Sequence, residues 1–91
     1  MKNIIKNNIV NVNEITLGPS EETGMHLHEY DYVIVPITNG ELISLDKKKI
    51  KIESNLKKGE PYFRKAGVEH NIINNSKHEV KFIEIEIIIT N

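Results

Sequence analysis

The chain has 91 residues, a formal net charge of −1 and no cysteine. That length suits one domain, since a core this small covers only about 60–65% of the unfolded surface. Disulfides, thiolate metal ligands and cysteine nucleophiles are excluded, and the lysines, grouped only at Lys47-Lys48-Lys49 and Lys57-Lys58, make no basic face for nucleic acid. No run of about 18 apolar residues is present and the first residues lack an apolar signal region, so the expected setting is the cytoplasm, with neither a membrane nor a nucleic-acid partner.

Residues 9–17 (IVNVNEITL) are rich in β-branched side chains and partly alternate, which predicts a strand with one buried face. Gly18-Pro19-Ser20 ends it, and a polar loop runs through Gly24. Residues 25–37 (MHLHEYDYVIVPI) predict one long strand, or two joined by a bend. Asn39-Gly40 then gives a strong hairpin signal, because both residues tolerate positive φ. Residues 42–45 return, Asp46 to Lys49 turn, and residues 49–54 alternate cleanly. Two short strands, 60–65 and 69–73, flank Ala66-Gly67, and 78–89 form a long last strand. There Glu84 and Glu86 alternate with Ile83, Ile85 and Ile87, the pattern of a strand whose acids face water. About eight evenly spaced strands and no helical period predict an all-β fold, a barrel or a double-sheet roll.

Of the four histidines, two stand at i and i+2 on a predicted strand. Period two puts His26 and His28 on one face, where both imidazoles can reach one ion. His70 follows a glycine turn on another predicted strand and supplies a third candidate ligand. His78 starts the last strand after Asn74-Asn75-Ser76 and is expected in solvent.

These spacings resemble the two motifs of the cupin family. The first reads Gly-x5-His-x-His-x(3–4)-Glu-x6-Gly, and His26, His28 and Gly40 fill it here. The second reads Gly-x5-Pro-x-Gly-x2-His-x3-Asn, and Gly59, Gly67, His70 and Asn74 fill it. The wording TGMHLHEYDYVIVP and GEPYFRKAGVEHNIIN is similar to a group of small microbial cupins named for β-alanine degradation. The resemblance implies a compact jelly-roll (double-stranded β-helix) barrel over residues 1–91, and one divalent metal ion (Fe, Zn, Mn, Ni or Cu) on His26, His28 and His70. Ser20 replaces the first motif glycine and Lys65 the proline, both at turns. The motif's glutamate slot falls on Tyr32 or Val33, neither a carboxylate, and strict alternation turns the nearby Glu29 and Asp31 away from the histidine face.

Three imidazoles leave coordination positions for water or substrate. Tyr30 and Tyr32 share parity with the histidine pair and are candidates for proton transfer, or else ordinary packing aromatics. Arg64, the sole arginine, is a candidate anchor for a substrate carboxylate, an ion-pair partner or a dimer contact. The implied function is a metal-dependent enzyme on a small carboxylate or amino-acid-derived compound, of the three-histidine Fe(II) oxygenase or the lyase/isomerase type. The alternative is a non-enzymatic module that binds a metal or small ligand. Five isoleucines in the last strand, from Glu79 to Ile89, further predict a homodimer.

Overall fold

The computed structural model describes residues 1–89. Nine strands follow in chain order: β1 (Lys2–Lys6), β2 (Val10–Leu17), β3 (His26–Leu27), β4 (Asp31–Pro36), β5 (Leu42–Leu45), β6 (Lys51–Glu53), β7 (Tyr62–Arg64), β8 (Glu69–Asn74) and β9 (Val80–Ile87). They make a five-stranded sheet, β1-β2-β9-β4-β7, and a four-stranded sheet, β3-β8-β5-β6. Every pairing is antiparallel. No helix among the described residues is long and apolar enough to cross a membrane. The all-β prediction therefore holds, with the 25–37 segment split by a bend at Tyr30.

The inward faces of the two sheets meet in a core of Ile15, Leu17, Tyr32, Ile34, Val80 and Phe82 from one side and Leu42, Leu56 and Ile72 from the other. Alternation along each strand supplies those positions, because every second residue points the same way. Asn74 fastens the end of β8 beneath this core. Only 1% exposed, it donates from Nδ2 to the carbonyls of Leu17, Gly18 and His78 at 2.9, 3.1 and 2.9 Å and accepts from the Ser76 amide at 2.8 Å.

Two local expectations are corrected. Strand β1 was not marked by any sequence pattern, because all five of its residues are exposed and none alternates into a core. Asn39-Gly40 does not close a hairpin. Strand β4 pairs with β7 and β9, and β5 with β6 and β8, so this segment carries the chain from one sheet to the other. Gly40 is needed for space rather than for positive φ: a Cβ there would lie 2.6 Å from Cγ2 of Val80. The hairpin that follows β5 turns at Asp46, whose Oδ1 accepts from the amides of Lys48 and Ile50 at 2.8 and 2.9 Å. Of the motif turns, Gly59 and Gly67 take φ of 77° and 100°, and Ser20 keeps the left-handed φ of 67° in the place of a glycine.

Candidate metal centre

Strands β3 and β8 pair with His26 opposite His70, which sets two imidazoles side by side. His28, just beyond β3, continues the same ladder, its amide donating to the carbonyl of Val68 at 2.8 Å. The three rings come together edge to face, with centroids 4.7–5.0 Å apart. Their Nε2 atoms converge: His26 to His28 is 3.0 Å and His28 to His70 is 3.1 Å.

The outer nitrogens are held in a way that suits metal ligation. Nδ1 of His26 lies 2.8 Å from the Gly24 carbonyl, which can only accept, so Nδ1 carries the proton and Nε2 presents a lone pair. Nδ1 of His70 lies 3.1 Å from the Ser44 hydroxyl, and Nδ1 of His28 faces the carboxylate of Glu84 at 3.9 Å. Partners of this kind on the outer nitrogen fix tautomer and ring angle in metal-bound histidines. Ring nitrogens about 3 Å apart either share a neutral ring's N–H or flank a cation. Charging the rings with extra protons is disfavoured at neutral pH. Burial, with His26 and His70 adding to it, holds His28 down to about 4 from the usual 6.5, and burial followed by His26 does the same to His70. A metal ion fits: two nitrogens each about 2.1 Å from one ion stand about 3.0–3.4 Å apart for angles of about 90–110°.

Tyr32, in the motif's glutamate slot, packs flat on His28, with ring centroids 4.0 Å apart and planes 19° from parallel. Burial first, then Tyr62, pushes its phenol up to about 12, so it remains a hydrogen-bond donor at neutral pH. Tyr32 and Arg64 both line a cavity of about 210 Å³ that the three histidines also line. Arg64 lies with its guanidinium 4.4 Å from the Tyr62 ring centre and donates from Nη1 to its neighbour's carbonyl, Phe63 O, at 2.9 Å. Among the described residues no carboxylate lies within 4.0 Å of it. Tyr30, expected beside Tyr32, does not line this cavity, because the bend at Tyr30 breaks the alternation. Asp31 is turned away, accepting from the Ala66 amide at 2.8 Å. Glu29 and His78 are exposed.

The acids of the last strand overturn their expected placement. Glu84 is 9% exposed and lines the cavity with the histidines, while Ile83, Ile85 and Ile87 take the opposite face of β9. The alternation was legible, but its sense was inverted: the barrel interior is the polar side at this end. Burial, then the nearby Glu86, pushes the Glu84 carboxyl above the usual range. Asn13 and Asn11 on β2 stand directly opposite Glu84 and Glu86, and their amides donate to the two carboxylates at 3.5 and 2.7 Å. The Asn-x-Asn on β2 set against the Glu-x-Glu on β9 was the available signal.

No family model matches the chain. A solved cupin domain from Bordetella pertussis Tohama I matches with a TM-score of 0.86 and 46% identity, over 91% of this chain and 85% of that one. The chain belongs to the cupin family. This cupin is also 49% identical over 83 residues to the β-alanine degradation protein BauB of Pseudomonas aeruginosa, across 91% of the chain and 86% of that protein. A double-stranded β-helix protein from Klebsiella pneumoniae shares the fold alone, at a TM-score of 0.76 and 21% identity over 93% of this cupin and 72% of that chain.

Proposed function

We propose that this cupin holds one divalent transition-metal ion on His26, His28 and His70 and acts as an enzyme on a small compound bearing a carboxylate. The observation that carries this reading is the convergence of three Nε2 atoms whose outer nitrogens all face polar groups. When bound, such an ion supplies a Lewis acid with coordination positions beyond the three imidazoles. The chain's own groups do the rest. Arg64, free of any carboxylate partner among the described residues, orients the substrate carboxylate through its planar fork, a geometry lysine cannot supply. The Tyr32 phenol, kept protonated by burial, donates a hydrogen bond or a proton to substrate. The cavity of about 210 Å³ suits a small ligand. The name of the Pseudomonas aeruginosa relative, a β-alanine degradation protein, supports an amino-acid-derived acid, transformed by an oxygenase or a lyase/isomerase reaction.

The test is turnover by metal-loaded protein against short amino acids and their keto- and thio-acid derivatives, with oxygen uptake and substrate loss both followed. Turnover of a carboxylate compound that falls at least tenfold in kcat/KM on Arg64→Lys supports the reading. Metal binding without turnover in any class would replace it with a ligand-binding module.

We further propose a homodimer formed through the outer face of the five-stranded sheet. Ile83, Ile85 and Ile87 lie there beside Val33 and Val35 of β4, and Phe63 on the neighbouring strand is 48% exposed. An apolar sheet face of this kind gains by covering. Light scattering at micromolar concentration checks it: twice the 10.5 kDa chain mass is expected, and a clean monomer refutes it.

A further inference from the structure

Glu84 is a carboxylate inside a barrel that elsewhere buries Ile15, Leu17, Ile34 and Phe82, and burying a charge without a partner costs several kcal/mol. Among the described residues it has no lysine or arginine within 4.0 Å; its one cationic candidate is His28, at 3.9 Å from Nδ1. That contact is on the far side of the ring from Nε2, the atom that joins the other imidazoles. Glu84 stands on that outer side and outside the three-histidine group.

We infer that Glu84 is the positioning carboxylate of the metal site, accepting Nδ1–H of His28 when metal is bound. It would thereby supply from β9 one negative charge beside three neutral imidazoles. The inference rests on the three histidines being metal ligands. The other two have neutral outer partners, the Gly24 carbonyl and the Ser44 hydroxyl, so His28 alone is given a carboxylate. A dication on three neutral imidazoles has charge +2; one adjacent carboxylate lowers it to +1 without occupying a coordination position.

The surroundings are arranged to hold that carboxylate. Asn3 of β1 donates from Nδ2 to Oδ1 of Asn13 at 2.9 Å and of Asn11 at 2.8 Å. Those two residues in turn direct their own amides at Glu84 and Glu86. Asn3 also donates to the Val12 carbonyl at 3.3 Å, while the amides of Asn13 and Asn11 present donors to the two acids. The gap of 3.9 Å is about 1 Å longer than a hydrogen bond.

The experiment is a Zn²⁺ titration by competition with a chelating dye, on wild type, Glu84→Gln, Glu84→Ala and Glu86→Gln, with the His28 ring followed by nitrogen-15 NMR in the zinc-loaded state. Outer partners of metal-bound histidines are worth about 10–100-fold in affinity. The expected result is a Kd raised about tenfold by Glu84→Gln, which keeps an acceptor oxygen, and up to about 100-fold by Glu84→Ala. Glu86→Gln should change it less than threefold. The His28 Nδ1–H signal should move in both Glu84 variants while those of His26 and His70 stay, a selectivity that loss of packing would not produce. A Kd unchanged in Glu84→Ala, or ring signals that move equally for all three histidines, overturns the inference and leaves the three-histidine site standing. Wild type that binds no Zn²⁺ overturns both.

Discussion

Acid should unfold the metal-free protein through His28, and the size of the effect follows from its surroundings. The ring is 4% exposed, and burial with two neighbouring imidazoles holds it down to about 4 from 6.5. At about 1.4 kcal/mol per pH unit, protonating it in the folded chain costs about 3 kcal/mol. The unfolded chain takes that proton below about pH 6.5, whereas the folded chain resists until about pH 4. Between those values the unfolded state binds more protons, so stability is complete above pH 6.5 and falls as pH drops toward 4. His70, lowered to the same range and less buried, adds to the loss. Glu84 opposes it, because a carboxyl raised by burial takes its proton more readily when folded. The clean comparison is therefore with His28→Gln, in which the glutamate contribution is largely retained. Urea unfolding of metal-free protein at pH 7.5 and pH 4 should show wild type losing about 3 kcal/mol more than the variant. Roughly 5–14 kcal/mol of total stability is expected for a chain of this length, so the difference is large. Parallel losses within about 0.5 kcal/mol would refute the reasoning.

Three further outcomes are expected from equilibrium unfolding. Asn74→Ala removes three donated and one accepted hydrogen bond at a position 1% exposed; a loss of about 3 kcal/mol is expected, and one under about 1 kcal/mol would mean that water replaces the amide. Gly40→Ala drives a methyl to 2.6 Å from the fully buried Val80 and should cost about 1–3 kcal/mol by overpacking, with no loss if the crossover shifts freely. Ser20→Gly relieves a left-handed φ of 67° and should raise stability by up to about 1 kcal/mol.

The sequence revealed most of the strands and the three imidazoles because both depend on period two and on motif spacing. His26 and His28 share a face by alternation, and the glycine turn at Gly67 brings His70 opposite His26. What stayed hidden depended on which side of a strand is inside. Glu84 and Glu86 alternate with isoleucines as a half-wet strand does, and alternation alone does not say whether the acids face water or a polar cavity. Only the cross-strand register, Asn13 opposite Glu84 and Asn11 opposite Glu86, fixes the direction. Similar logic explains Asn39-Gly40: the pair has hairpin chemistry, yet its glycine is needed for the close approach of Val80. Strand β1 was illegible because an edge strand with five exposed residues leaves no burial pattern to read.

The central claim is that three imidazoles of this cupin hold one metal ion. Anomalous diffraction from crystals of the metal-loaded protein, collected on both sides of the metal's absorption edge, tests it most directly. The account predicts one peak per chain within about 2.3 Å of the Nε2 atoms of His26, His28 and His70, lost in His28→Ala. A well-ordered cluster with no peak, or a peak that survives His28→Ala in the same place, would contradict it.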